Sequence, residues 1–517
     1  DPSIRVLLLE AGPATKSIYI HMPAALAFPL SNPKLTWSFE MGPEPYLDNR
    51  MITQVRGRLL GGSTSVNGMV YVRGNPRDFD GWAKQGLPDW SYAHCLPYFK
   101  KLESYSIGDE QYRGHSGPVV ITRASAKNPL FEAFLEAGQQ AGHVLNDDYN
   151  GARQEGVHIY QAKIDHSRRA STTHAYLGPA RGRSNLFIRS SVLVQRIRFS
   201  NKRAVGVEIR NPDGTTEQIE AEREVIVSGG AFKSPHLLQL SGIGNAETLK
   251  AAGIPLTADV PGVGQNLQDH VAVSVAYHTA RKGVSPVSNM NLFRRGIIGA
   301  EWLFLRSGLG ASNFWETGTF FKSRDDVDFA NIQHEFCPML GEFSHGEVKV
   351  ADGFQYQTCL MRPRNRGSVT LRSNDPTQAP QIINNYLEDA EDRRDMRDAL
   401  RHTDEIIQQR AWDGLRGQAV EPGLASFNDA ALDAWLRKNV GTQYHPCGTC
   451  RMGTDDYSVV DNEGRVNGVE ALRVIDSSVM PNVTSGNLNC PTMMVAEKLA
   501  DRVKGIVPLP AQHVLLY

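Results

Sequence analysis

The sequence predicts an α/β fold of the nucleotide-binding kind, and three stretches carry that expectation. Arg5 to Leu9 (RVLLL) is a continuous apolar run, the pattern of a strand buried on both faces of a parallel sheet, and it ends in Glu10-Ala11-Gly12. EVIVSGGAFKSPHLLQLSGIG (224–244) reads as a buried strand, a glycine turn at 229–230 and a helix. ALRVIDSSVMP (471–481) gives a further strand, followed by Asp476 and small residues.

Taken in chain order, LLLEAG admits two readings. An acidic residue at the tip of the second strand of a dinucleotide-binding unit holds ribose hydroxyls, roughly 20 residues after a G-x-G-x-x-G turn. There is no room upstream for that turn, and GVGQNL (262–267) and GIGNAE (242–247) each lack its third glycine, so taken alone LLLEAG reads better as a plain buried strand. RGRLLGGSTSVNGMVYVRG (56–74) places Gly57, Gly61 and Gly62 before a Ser/Thr cluster and Asn67-Gly68. Such backbone can expose N–H groups that cradle a phosphate or the edge of a flavin ring. Three glycine-punctuated units together favour a large nucleotide cofactor. RGSVTLRS (366–373) alternates like a strand, and Pro491-Thr492 opens a helix over 493–503 with Met493, Ala496, Ala500 and Val503 at helical spacing.

Composition narrows the function. Lys+Arg of 55 against Asp+Glu of 56 leaves a net charge of −1, so no global field favours nucleic acid or anionic lipid. No apolar segment approaches the roughly 18–20 residues needed to cross a bilayer. Six cysteines in 517 residues do not form a disulfide framework, and a cytoplasmic setting is the expectation.

GRLLGGSTSVNGMVYVRGNPRDFDGW (57–82), GAFKSPHLLQLSGIG (230–244), PGVGQNLQDH (261–270), YHPCGTCRMG (444–453) and GNLNCPTMMVAEKLAD (486–501) together resemble the glucose–methanol–choline flavoprotein oxidoreductases over essentially the whole chain. SNFWETGTFFKSR (312–324) is most similar to the bacterial choline dehydrogenase branch. The resemblance implies an α/β fold, α+β overall, of two lobes. A Rossmann-like FAD-binding domain would span 1–275 and return over 440–517 with the active site. A substrate-binding domain built on an antiparallel sheet would occupy 276–439. Family members begin with the dinucleotide turn absent here, so the resemblance also implies a start shortened by about 30 residues, one βα unit.

The implied activity is FAD-dependent oxidation of a primary alcohol to the aldehyde, with choline or a related small alcohol as substrate. Other aliphatic, aromatic or hydroxy-acid alcohols, or a non-redox lyase reaction, are the alternatives. His445 matches the family's catalytic histidine and Asn489 its second active-site position. Cofactor contacts carry over to Glu10 (ribose), to Gly62, Ser63, Asn67, Gly68 and Val70 (pyrophosphate and isoalloxazine), and to Val194 (adenine). Gly229 and Asp476 (diphosphate) and the helix start at Pro491 and Thr492 (flavin) complete the set. Val66 stands where some relatives carry a histidine bonded to the flavin, which implies noncovalent FAD. The electron acceptor is oxygen or a quinone or other carrier. Oligomeric state is open, and the tail IVPLPAQHVLLY (506–517) is either a peripheral membrane contact, as at the inner membrane, or packing.

A quaternary ammonium head needs aromatic faces and often a carboxylate. Trp37, Glu316 and Tyr444 match the positions that cage it in choline-oxidising relatives. Phe314-Trp315 replaces the His-Phe usual before that glutamate, which alters the pocket. Cys447 and Cys450 have the C-x-x-C spacing of a redox pair or half a zinc site. With no second ligand pair and no thioredoxin-like setting, they are expected to be packing residues without a metal.

Overall fold

The computed structural model describes residues 2–288, 290–344, 347–421 and 424–517. Its nucleotide-binding half is assembled from parallel strand pairs that join distant segments. Val6–Glu10 lies beside Leu186–Ser190, and Val225–Val227 beside Leu472–Val474. The second pair brings the C-terminal segment back onto the N-terminal half. The glycine turn at 229–230 leads into the helix Gly230–Leu240, as its sequence predicts.

The expectation for RVLLL needs correction. Val6, Leu7 and Leu8 are 47, 40 and 38% exposed. Among the described residues Val6–Glu10 has one hydrogen-bonded neighbour, and its remaining side lines the central cavity. Ile226, on the other parallel pair, is also exposed and lines that cavity.

The second half carries a seven-stranded sheet. In order, Arg416–Ala419, Val271–Thr279, Phe354–Leu360, Ile332–Cys337, Thr317–Phe321 and Gly156–Ile159 pair antiparallel, and Gly441–Thr442 adds to Val271–Thr279. Gly156–Ile159 and Gly441–Thr442 therefore come from outside 276–439, and Val271–Thr279 begins outside it. One face packs on the helices Pro129–Gln140 and Ala390–Ile407 through Phe134, Phe336, Tyr356 and Ile406. The other face looks into the cavity. Side chains alternate between faces along a strand, so Glu335 and Cys337 reach the cavity while Phe336 enters the core. The segment 366–373 does form a strand, Ser368–Thr370. It pairs with Gln381–Ile383 outside the seven-stranded sheet, because the backbone N–H of Val369 is committed to Gly264.

The C-terminal helix starts earlier than its proline suggested, running Asn489–Val503. Pro491 is harmless there, since first-turn N–H groups have no intrahelical partner. Of the predicted stripe only Met493 is fully buried; Ala496, Ala500 and Val503 are half-buried. That side of the helix runs along the cavity, which Asn489, Thr492 and Val503 line. Among the described residues no helix is long and apolar enough to cross a membrane.

Candidate active site

Between the two halves lies a cavity of about 2560 Å³. Pockets for drug-sized ligands occupy about 300–1,000 Å³, so this one has room for a dinucleotide with a small substrate beside it. Every catalytic, cofactor or substrate residue expected from the sequence lines it, except Pro491 and Glu316.

The cofactor-facing wall is mostly backbone. Gly62 has φ +52°, its N–H donates to the Leu59 carbonyl at 2.8 Å, and a Cβ there would meet nothing within 4 Å, so the turn offers open backbone beside the cavity. Gly57 is required by close approach, because a Cβ would sit 2.3 Å from the carbonyl carbon of Gly62. Ser63 Oγ accepts from the Gly57 N–H at 3.1 Å, tying the loop to its strand. Asn67 Oδ1 accepts from Met69 N at 3.2 Å and from the buried Arg169 at 2.9 Å, which fixes the turn that carries Gly68 and Val70. Glu10 accepts from Gly12 N at 2.7 Å, and burial raises its carboxyl above the usual range. Val194 sits across the cavity on the strand Leu193–Ser200. Asp476 accepts from Gly230 N at 2.8 Å, from Ser234 Oγ and from Ser478 N. In this structure it therefore organises the Gly229-Gly230 turn rather than pointing a free carboxylate. The helix Asn489–Val503 presents an N-terminus that no side chain caps. Its partial positive charge suits an anionic flavin edge. The side-chain-free glycine backbone along the cavity, the uncapped helix start and the cavity's size fit FAD.

His445 is held by a network that also sets its tautomer. Asp269, fully buried, accepts from the His445 N–H at 2.7 Å, from Tyr386 OH at 2.6 Å, from Gln54 Nε2 at 2.8 Å and from Thr442 Oγ1. Arg56 donates to the Tyr444 carbonyl at 2.7 Å, holding Tyr444 at φ +64°. The His445 ring meets His270, Nδ1 to Nδ1, at 3.0 Å. His270 Nε2 is 3.0 Å from the Thr484 carbonyl, which only accepts, so Nε2 carries the hydrogen. Burial lowers His270 to about 4 and keeps it neutral, which leaves Nδ1 as an acceptor. His445 must then donate from Nδ1. Burial, with His270 and Arg56 nearby, holds His445 well below the ordinary histidine range. Its Nε2 consequently keeps its lone pair, which receives a long hydrogen bond from Asn487 Nδ2 at 3.5 Å.

Asn489 occupies the first turn of the C-terminal helix. Its Oδ1 accepts from Lys163, a lysine 1% exposed whose amine burial lowers to about 7. With the oxygen taken, Nδ2 is the end left for a ligand. Neither Lys163 nor His270 was foreseen; a lysine in YQAKID (160–165) carries no motif, and only the fold brings it under Asn489.

The substrate side departs from expectation. Tyr444 and Trp37 line the cavity, but the Trp37 ring already has Arg58 at 4.5 Å and Lys233 at 5.0 Å from its centroid. Glu316 is buried away from the cavity, its carboxylate accepting from Ala126 N at 2.6 Å, Ser125 Oγ at 3.1 Å and Ser312 Oγ. On the sheet face of the cavity the carboxylate is Glu335, 5% exposed, and burial raises it to about 7. A charged residue inside the strand-like run NIQHEFC (331–337) was the available signal for it.

Cys447 and Cys450 are fully buried among Met452, Val459 and Val479 and are not disulfide-bonded. Burial pushes both thiols up. No cluster of metal-ligating side chains occurs among the described residues.

Comparison with known proteins places this geometry. The N- and C-terminal models of the GMC oxidoreductase family match residues 7–272 and 363–496. An oxygen-dependent choline dehydrogenase of Chromohalobacter salexigens is 46% identical over 100% of this chain and 93% of its own. Its namesake in Escherichia coli is 45% identical over 99% of this chain and 93% of its own. The crystal structure of pyridoxine 4-oxidase from Mesorbium loti superposes with a TM-score of 0.88 at 28% identity, over 98% of this chain and 96% of that one. The chain belongs to the GMC oxidoreductase family and is an FAD-dependent alcohol oxidoreductase.

Proposed function

We propose that the protein oxidises a small primary alcohol to its aldehyde with noncovalently held FAD, and that choline is the first substrate to test. The observation that carries this reading is the tautomer of His445. A neutral imidazole with its Nε2 lone pair on the cavity wall can take the hydroxyl proton of a bound alcohol. Asn489 Nδ2, turned outward by Lys163, donates to the oxygen as negative charge develops on it. FAD, when bound, supplies the acceptor for the hydride that leaves the carbinol carbon. Glu10, the 57–70 loop, Gly229 and the start of the C-terminal helix would hold it, and the helix N-terminus favours negative charge on the flavin edge beside it. Val66 offers no nucleophile for a covalent flavin bond. Under this reading, 1–275 with 440–517 form the FAD-binding domain, and 276–439 supplies most of the substrate wall.

Choline enters because the curated relatives of nearly equal length carry that name. Their name also makes oxygen the first electron acceptor to try, ahead of a quinone. The test is anaerobic mixing of the holoenzyme with choline, aliphatic and aromatic alcohols and hydroxy acids. Bleaching of the flavin by choline at the lowest concentration supports the proposal. No bleaching with any alcohol refutes it and turns attention to a non-redox reaction.

A further inference from the structure

Glu335 is a buried acid to which the family motifs assign nothing. It lies on the central strand Ile332–Cys337, in cross-strand register with Gln357 on one side and Gly318 on the other, and Gln357 is in register with Ser274. This row faces the cavity and contains one charged residue. Each Glu335 oxygen accepts one hydrogen bond from an uncharged amide. Asn487 Nδ2 donates to Oε1 at 2.7 Å, and Gln443 Nε2 donates to Oε2 at 2.5 Å. No ion pair to Glu335 forms among the described residues. Its titratable neighbours are neutral near pH 7: burial lowers His445 and raises Tyr160, Cys337 and Cys359.

A buried carboxylate held by two neutral amides, with unused lone pairs and no cation, is a poor stabiliser of the empty fold. It is well placed to meet a positive ligand. Asn487 also sits 3.5 Å from His445 Nε2, so one amide separates the acid from the base. A two-carbon amino alcohol has comparable reach between hydroxyl and nitrogen. Phe314, Trp315 and Tyr444 line the same cavity and offer aromatic faces, as a quaternary ammonium requires.

We propose that Glu335, rather than Glu316, is the anionic anchor of the substrate pocket, holding the positive head of a small ammonium alcohol while its hydroxyl meets His445 and Asn489. This rests on the reading that alcohols are oxidised at His445.

The experiment compares choline with its neutral isostere 3,3-dimethylbutan-1-ol in holoenzyme, wild type and E335Q. Removing the charge raises KM for choline about tenfold or more and leaves KM for the neutral alcohol within about twofold. E335D, which keeps the charge, retains a preference for choline. If E335Q does not load FAD, the wild type decides. Protonation of Glu335 as pH falls from 8 to 6 raises KM for choline while KM for the neutral alcohol stays level. Equal changes for both alcohols, in the variants or across pH, overturn the proposal. Failure of wild-type flavin to be reduced by either alcohol would instead refute the underlying reading.

Discussion

The two walls of one cavity are built on different physical plans. The cofactor wall is backbone: Gly57 has no room for a side chain, Gly62 has a left-handed φ, and the Asn489–Val503 helix presents a bare end. Each feature belongs to a contiguous stretch. The substrate wall is side chains delivered by register: Ser274, Gln357 and Glu335 come from three strands, and His445, on a fourth segment, is oriented by His270 just before the Ser274 strand. Backbone geometry writes itself into short motifs of small residues. Cross-strand neighbours leave only a parity, every second residue, in segments that can be far apart.

The largest expected effect breaks the cofactor wall. Gly57→Val drives a Cβ into Gly62, so the variant should lose bound FAD and with it all activity, read from the visible spectrum of the purified protein. Next comes the base. His445→Ala should keep its flavin while its rate of reduction by alcohol falls about 10²–10⁴-fold in anaerobic stopped flow. A loss under tenfold would mean that the proton leaves by another route. Lys163→Met frees the Asn489 amide to turn; kcat should fall about tenfold with little change in KM, the signature of an interaction strongest in the transition state. A variant with raised KM alone would make Lys163 merely structural.

The pH profile is a subtler probe. His445 must be neutral to act, and its pKa is depressed. With a neutral alcohol, log kcat/KM should therefore stay flat as pH falls through 6.5 and turn down only below it. An acid limb centred at or above 6.5 would contradict burial of the ring, with His270 and Arg56 beside it, as the cause. The smallest effect is reserved for the cysteines. Cys447→Ala and Cys450→Val should leave kcat and KM within about twofold, with a stability change of about 1–2 kcal/mol from altered packing in denaturant melts.

This division explains what was legible in the sequence. The strand–turn–helix at 224–244, the 57–70 loop and His445 in YHPCGTCRMG could be read because their determinants are local. RVLLL misled, because an apolar run signals strand but not how many neighbours the strand has. Glu316 misled for a related reason. Its position matched a pocket acid, yet Ser312 and the 125–126 backbone turn supply donors that draw its carboxylate inward. Phe314-Trp315 signals an altered pocket, but only the sheet register brings Glu335 to the cavity. The C-x-x-C pair drew attention by spacing alone; what decides its role is the apolar cluster around it.

The nitrogen-to-nitrogen contact of His445 with His270 has a consequence for traffic rather than orientation. His270 already spends its other hydrogen on the Thr484 carbonyl, which has no proton to pass on. A proton captured at His445 Nε2 thus finds a dead end behind the ring. It must depart through the nitrogen by which it arrived, into the cavity and out with solvent once the aldehyde has gone; the Asn487 amide beside it only donates and cannot relay it. Resetting the base for another turnover is thereby coupled to emptying the pocket.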